Sequence, residues 1–165
     1  MNYGKINTHD IANGPGVRVS LFVSGCNNHC KNCFNPETWD FEYGEKFTSK
    51  TLESIEEALK HDYISGLTIL GGEPLDPNNI GIVELIIDYL KAKFPKKNIW
   101  IYTGYVLEQL PVVHQDNMDC LENVLKSIDA LVDGPFVEEL KDIRLAFRGS
   151  TNQRIIHNPS RYLFK

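Results

Sequence analysis

The stretch VRVSLFVSGCNNHCKNCFNP, residues 17–36, joins a strand pattern to a loop rich in cysteine. Apolar residues occupy every second position of its first part, which predicts a β-strand over 17–23 with one buried face. The loop that follows carries Cys26, Cys30 and Cys33, three of the four cysteines in the chain. The sequence therefore predicts that a core strand delivers three thiols to one short loop.

Helix and strand patterns alternate along the rest of the chain. The predicted elements, in chain order, are a helix over 51–62, a strand over 67–70, a helix over 78–94, a strand over 98–102, a helix over 117–128 and a strand over 130–132. Residues 144–147 and 154–156 are possible further strands. Alternation of this kind predicts an α/β fold with a mainly parallel sheet and helices packed outside it.

Glycine, threonine and acidic residues follow the predicted strands at equivalent positions. These groups are Gly71-Gly72-Glu73-Pro74, Thr103-Gly104 and Asp133-Gly134. In parallel α/β folds the carboxyl ends of the strands form the edge at which ligands bind. The chain has 165 residues, fewer than the roughly 250 residues typical of a full eightfold barrel. The sequence therefore predicts one domain, residues 1–165, built as an incomplete TIM-type barrel with mainly parallel strands.

The composition is that of an ordinary globular protein, with 42% hydrophobic and 24% charged residues. The formal net charge of −5 gives no general reason to expect nucleic acid or an anionic membrane as a partner. The start of the chain lacks the apolar core of a signal peptide, and no segment approaches the roughly 20 apolar residues of a membrane span. We therefore expect a cytoplasmic protein, in which clustered cysteines indicate a metal site.

Three clustered thiolates suit an iron–sulfur cluster or a zinc ion. A cubane cluster has four irons, so three cysteines leave one iron open to a substrate or cofactor. A closed zinc site needs a fourth ligand, which His29 or Cys120 would supply, although His29 reaches awkwardly because it lies between two of the cysteines. A loop with three incidental cysteines is the remaining alternative. Cys120 also fits the apolar spacing of the helix over 117–128 as a small buried residue.

The cysteine spacing, CNNHCKNC at 26–33 followed by Phe34, resembles the signature of the radical S-adenosylmethionine (SAM) enzymes. The GGEP segment at 71–74 resembles the second motif of that superfamily, which holds the amino group of SAM. Within the superfamily, four segments resemble the activating proteins of anaerobic (class III) ribonucleoside-triphosphate reductases: NGPGVRVSLFVSGCNNHCKNCFNPETW, YTGY, LVDGPF and RGSTNQR. This resemblance covers about residues 2–157.

The resemblance implies a radical SAM fold and a defined chemistry. Cys26, Cys30 and Cys33 would bind one [4Fe-4S] cluster, and SAM would chelate the fourth iron through its amino and carboxylate groups. An electron, supplied by a donor such as a flavodoxin, would cleave SAM to methionine and a 5′-deoxyadenosyl radical. That radical would take a hydrogen atom from a glycine of the reductase large subunit and leave a glycyl radical there.

The resemblance also implies the residues that contact SAM. They are Asn32, Cys33, Phe34, Gly71, Gly72, Glu73 and Pro74. The first three would line the adenine side, and the two glycines would let the backbone approach the ligand closely, so a side chain at Gly72 would block SAM while sparing the cluster. Glu73 would fix the turn or orient the ammonium of SAM, and the alternative is a solvated carboxylate.

The family resemblance also carries expectations for two further segments. Asp133 follows a predicted strand and is expected near the carboxylate of SAM. Residues 13–16 either form a simple turn or lie near the mouth that faces the partner protein.

Two other functions remain open at this point. Pyruvate formate-lyase activating enzymes share the GPG segment and the cysteine spacing but are normally longer. A zinc-stabilised binding module without enzymatic activity would be colourless, whereas the radical SAM enzyme would be brown and oxygen-sensitive and would consume SAM when reduced.

Overall fold

A seven-stranded sheet forms the centre of the computed structural model, which describes residues 1–164; Lys165, part of the expected domain 1–165, lies outside the described residues. The strands, in chain order, are β1 (Asn2–Asp10), β2 (Val17–Val23), β3 (Glu45–Lys46), β4 (Ile64–Gly71), β5 (Asn98–Tyr102), β6 (Ala130–Asp133) and β7 (Arg154–His157). Across the sheet their order is β3-β1-β2-β4-β5-β6-β7.

Parallel pairing is confined to the four central strands, β2, β4, β5 and β6. The pairings β1–β2, β1–β3 and β6–β7 are antiparallel. A parallel pairing needs a long crossover connection, and only residues 11–16 join β1 to β2. Between β6 and β7 the chain forms no α-helix, only a short 3-10 helix over Glu138–Leu140. The α/β class is confirmed, and the prediction of a mainly parallel sheet holds for the centre of the sheet alone.

The three predicted helices are confirmed, with shifted ends. The helices are α1 (Ser49–Leu59), α2 (Ile80–Lys93), α3 (Leu110–Val113), α4 (Met118–Ser127) and α5 (Ser160–Leu163). Helix α1 begins earlier than predicted because Thr48 and Thr51 form a capping box at its start. Among residues 1–164, no helix combines the length and the apolar character that a bilayer span requires.

One of the two possible strands near the carboxyl terminus is confirmed and the other is wrong. Residues 154–156 lie within β7, whereas residues 144–147 form turns and bends. The backbone N–H of Arg144 donates to Asp142 Oδ1 at 2.9 Å, and the Phe147 carbonyl accepts a hydrogen bond from the Tyr102 hydroxyl. These contacts use polar groups of the segment that a strand would offer to a neighbouring strand.

The two faces of the sheet carry different side chains. On one face, the alternate residues Val19, Leu21 and Val23 of β2 are fully buried and join the core formed with the helices. On the other face, Phe22 of β2 and Tyr102 of β5 line an open cavity. The sheet is therefore covered by helices on one side and leaves the other side free for a site.

Candidate functional site

A cavity of about 510 Å³ lies on the open face of the sheet and at the carboxyl ends of β2, β4 and β5. Its wall contains residues from the cysteine loop, the GGEP turn, the segment after β5 and the segment between β6 and β7. The lining residues include Asn13, Phe22, Cys26, Asn28, Cys30, Cys33, Phe34, Trp39, Leu70, Gly71, Gly72, Glu73, Tyr102, Thr103, Gly104, Phe136, Ile143 and Phe147. The loops that the sequence placed at one sheet edge do meet there.

The cysteine loop brings its three thiols to this one cavity, and all three are free of disulfide bonds. The loop begins where the amide N–H groups of Gly25 and Cys26 donate to the carbonyls of Thr38 and Trp39, at 2.8 and 3.2 Å. The segment after the third cysteine therefore folds back behind the first one. This return fixes Cys26 at the end of β2.

His29 does not line the cavity, although it lies between two cysteines that do. Its ring stacks on that of Trp39, with 4.6 Å between the ring centroids. The backbone at His29 has a φ of 44°, which is uncommon for a residue with a side chain. Stacking therefore accounts for the position of the imidazole without a metal ion.

Burial raises the pKa of the Cys26 thiol to about 11, although the backbone N–H groups of Asn28 and His29 favour the thiolate. Burial also raises the pKa of Cys30. Both thiols are therefore neutral near pH 7 when no metal is bound. Metal binding would displace their protons, since the thiolate is the ligand.

The GGEP turn is anchored by Glu73, whose side chain is fully buried. Its carboxylate accepts hydrogen bonds from the Thr103 hydroxyl (2.7 Å), the Gly104 N–H (2.7 Å), the Leu75 N–H (3.0 Å) and the Asn28 side-chain amide (3.0 Å). These contacts join the ends of β4 and β5 to the cysteine loop. The structure thus supports the prediction that Glu73 fixes the turn and excludes the solvated alternative.

Glu73 is fully buried, and no ion pair among the described residues includes it, so burial dominates its ionisation. Burial raises the pKa of Glu73 to about 7, while the hydrogen bonds from Thr103, Gly104 and Leu75 oppose that increase. A cation placed beside the carboxylate would favour its ionised form. Because its two oxygens already accept four hydrogen bonds from the protein, Glu73 would act on a cation in the cavity through its charge and not through a direct hydrogen bond.

The two glycines of the turn lie on the cavity wall as expected, but their closest neighbours are protein backbone. A Cβ added to Gly72 would lie 2.7 Å from the Gly25 carbonyl oxygen and 2.9 Å from that of Thr38. Gly71 has a φ of +108°, and a Cβ there would lie 2.8 Å from the backbone of Phe22. A side chain at Gly72 would therefore press on the start of the cysteine loop, which argues against the expectation that it would block SAM while sparing the cluster.

The remaining residues expected to contact SAM have three different locations. Phe34 lines the cavity, is 62% exposed and packs against Phe136 with ring centroids 4.8 Å apart. Asn32 is exposed, adopts a φ of 55° and is not part of the cavity wall. Pro74 is buried behind Glu73 and is not part of the wall either.

Asp133 serves the fold rather than the cavity wall. It is buried, and its carboxylate accepts hydrogen bonds from the Leu107 N–H at 2.8 Å and from the Arg154 guanidinium at 3.0 and 2.5 Å. Its oxygens are therefore occupied by protein donors, and the structure does not bring Asp133 to the place expected beside SAM.

The segment over residues 13–16 crosses the amino-terminal end of the open face. Asn13 lines the cavity, and its carbonyl accepts a hydrogen bond from Thr68 at 2.8 Å. The buried Arg18 guanidinium donates to the Pro15 carbonyl at 3.2 Å and to the Asn98 side chain at 2.6 Å. The segment is thus fastened to β4 and β5 and closes one end of the cavity.

The donor set fits a polynuclear cluster better than a single zinc ion. Zinc requires ligands that converge on one point, and among residues 1–164 no group of three His, Cys, Asp or Glu side chains does so. The cysteines of a cubane bind different irons, so they surround a volume instead. Three free thiols lie on the wall of one cavity of about 510 Å³, and this arrangement is compatible with such a cluster. Cys120 is buried in α4, outside the cavity wall, as its apolar spacing predicts.

Several cavity residues were not singled out from the sequence. They include Asn28, Trp39, Tyr102, Phe136 and Phe147. Asn28, Trp39, Tyr102 and Phe136 lie inside the segments that carried the family resemblance, so membership of such a segment was the available signal. No sequence feature identified Phe147 as a cavity residue, because it reaches the cavity from a segment without regular secondary structure.

Comparison with known proteins defines first the class and then the family. Residues 12–156 match the family model described as a 4Fe-4S single cluster domain, so the chain is an iron–sulfur protein of the single-cluster class. It is 39% identical over 158 residues to the anaerobic ribonucleoside-triphosphate reductase-activating protein of Enterobacteria phage T4, with 96% of this chain and 95% of that protein covered.

Two bacterial relatives carry the same name. The chain is 40% identical to the protein of Vibrio cholerae serotype O1 and 39% identical to that of Escherichia coli strain K12, each over 159 residues. These matches cover 95% of this chain and 97% and 99% of the relatives. The chain belongs to the family of anaerobic ribonucleoside-triphosphate reductase-activating proteins, which confirms the resemblance found in the sequence.

Proposed function

We propose that this chain activates an anaerobic ribonucleoside-triphosphate reductase by generating a glycyl radical on its large subunit, through reductive cleavage of SAM at a [4Fe-4S] cluster. One observation carries the proposal: three free thiols and the GGEP turn line the same cavity in a chain about 40% identical to proteins named as activators of that reductase.

The residues of the cavity have distinct parts in this function. Cys26, Cys30 and Cys33 would hold three irons and leave the fourth for SAM, and the bound cluster would supply the electron that cleaves SAM. Glu73 would attract the ammonium of SAM, because a cation restores the ionised form of a carboxylate whose pKa burial has raised to about 7. Phe34 offers an aromatic face beside the third cysteine for the adenine.

The deeper wall of the cavity would shield the reaction from water. Phe22, Leu70, Tyr102 and Phe147 supply apolar surface there. Excluding water from such a site limits side reactions of a reactive intermediate. The helices on one face of the sheet and the cavity on the other are consistent with an incomplete barrel of the radical SAM type, which we propose as the finer description of the fold.

The partner would enter from the open side of the cavity. Ile143 on the wall is 92% exposed and Phe34 is 62% exposed, so apolar surface is available at the mouth. We propose that the glycine-bearing segment of the reductase large subunit docks here, in the cytoplasm, and that a flavodoxin or a similar protein donates the electron. Ordering a mobile segment costs free energy, so the affinity is expected to be modest.

Anaerobic electron paramagnetic resonance tests the proposal. Reduced, cluster-loaded chain, SAM and the reductase together should give a glycyl-radical doublet, and omission of any one should abolish it. Replacing the target glycine of the reductase by alanine is the matched control and should also abolish the doublet. A doublet on pyruvate formate-lyase and none on the reductase would assign the chain to the other activase family. A colourless protein that retains zinc would overturn the cluster itself.

A further inference from the structure

The loop between Cys26 and Cys30 is tied to the chain that follows the GGEP turn. The side-chain amide of Asn27 donates to Asp76 Oδ2 at 2.9 Å. Asp76 is fully buried, and its other oxygen, Oδ1, accepts hydrogen bonds from the backbone N–H and the side-chain amide of Asn78, both at 2.9 Å. Each oxygen of one carboxylate therefore serves a different partner, and only one of these partners belongs to the cysteine loop.

Two neighbouring contacts run between the same pair of segments. Asn28 donates to Glu73 Oε2 at 3.0 Å. The buried amide of Asn79 donates to the carbonyls of Ser24 and Glu73, both at 3.0 Å. Consecutive asparagines of the loop thus bind two carboxylates, those of Glu73 and Asp76, that lie on a single turn of chain.

We propose that Asp76 is a positioning residue that fixes the segment between Cys26 and Cys30 through Asn27. Residues 24–30 contain neither helix nor strand, so backbone pairing within the segment does not hold its shape. The left-handed backbone at His29 (φ 44°) also requires support from its surroundings. A buried carboxylate is a strong acceptor for this purpose, because hydrogen bonds to charged groups are stronger than neutral ones.

The consequence is a cysteine loop that is shaped before any metal binds. A preorganised loop loses less conformational freedom when it takes up its ligand, which favours retention of that ligand. Where it concerns the cluster, this inference rests on the proposed function. Where it concerns the order of the loop, it does not.

Amide hydrogen exchange on the cluster-free chain tests the inference without reference to any cofactor. In Asn27→Ala, amides of residues 27–30 should exchange about ten-fold faster than in the native chain, the loss expected for one hydrogen bond to a charged group. Asn78→Ala is the matched control, because it removes a contact to the same carboxylate and leaves the cysteine loop untouched. Equal exchange in the native chain and both variants would overturn the inference.

A swap of the two side chains tests the pairing itself. Asn27→Asp alone places two carboxylates together and should loosen the loop further than Asn27→Ala. Asn27→Asp combined with Asp76→Asn restores a donor–acceptor pair in reversed order, since the new amide can donate while its oxygen still accepts from Asn78. Exchange at residues 27–30 should then return toward the native rate. A double variant no slower in exchange than Asn27→Asp would show that Asp76 does not act through Asn27.

The loaded protein provides a second readout. Iron loss to a chelator under anaerobic conditions should be about ten-fold faster in Asn27→Ala and unchanged in Asn78→Ala. An unchanged rate in Asn27→Ala would overturn the role in cluster retention. If the native chain takes up no iron, the proposed function fails, and the exchange measurements still decide whether Asp76 orders the loop.

Discussion

At the residue scale, the four cysteines occupy two environments, and this separates their roles. Cys26, Cys30 and Cys33 line the cavity, whereas Cys120 is buried in α4 away from it. Reconstitution should give about four irons and four sulfides per chain. Cys33→Ala should abolish this content because the cluster would lose a ligand, and Cys120→Ala should retain it. Iron and sulfide analysis measures the cluster content of each variant. If Cys120→Ala also lost the cluster, the inference that one iron lacks a protein ligand would fail.

Gly72 is the second residue whose surroundings make a definite prediction. In Gly72→Ala the new methyl group would press on the carbonyls of Gly25 and Thr38, so the cysteine loop should shift and the iron content should fall. Gly81→Ala is the control: nothing lies within 4 Å of a Cβ there, and alanine in the α2 helix should stabilise the fold by up to about 1 kcal/mol. Visible absorbance measures the cluster content, and urea unfolding measures the change in stability. Full iron content in Gly72→Ala would contradict this account.

At the scale of elements, Arg154 of β7 binds two carboxylates, Asp133 at the end of β6 and Glu108 in the short 3-10 helix that follows β5. This side chain therefore joins β7 to both of these elements. Asp133 is buried, so Arg154→Ala would leave its carboxylate with the Leu107 N–H and should cost about 2 kcal/mol of unfolding free energy. Arg144→Ala removes a pair with Asp142 in which the guanidinium is largely exposed to solvent, and it should change stability little. Urea denaturation of the cluster-free variants measures the free energy of unfolding of each. Equal losses would contradict the structural role of Arg154.

At the scale of the whole molecule, the open face of the sheet is where a protein partner can reach the cavity. Ile143→Ser should weaken binding of the reductase about ten-fold, since a buried isoleucine contributes apolar area at an interface. Val112 is 73% exposed on α3, outside the cavity, and Val112→Ser should leave the affinity unchanged. Anaerobic titration calorimetry measures both. Equal affinities would place the docking surface elsewhere.

Local patterns in the sequence were enough to predict the central elements and the chemistry of the cysteine loop. Apolar periodicity within each segment placed β2 and β5 at their observed bounds and the three longer helices within a few residues, because helix and strand periods are local properties. The cysteine spacing and the GGEP segment could be found for the same reason, since each is a short continuous motif. Ligands bind at the carboxyl ends of parallel strands, so these motifs were predicted to meet at that edge, and they do.

The edges of the sheet and the contacts that shape the site depend on how distant parts of the chain pack together. Strand β1, with the polar sequence NYGKINTHD, carries no clear alternation and forms because β2 and β3 supply its hydrogen bonds. The Asn27–Asp76 pair joins residues 49 positions apart, and Arg154 reaches Asp133 across 21. Such pairs depend on how finished elements pack against one another, and no local period or spacing encodes that arrangement.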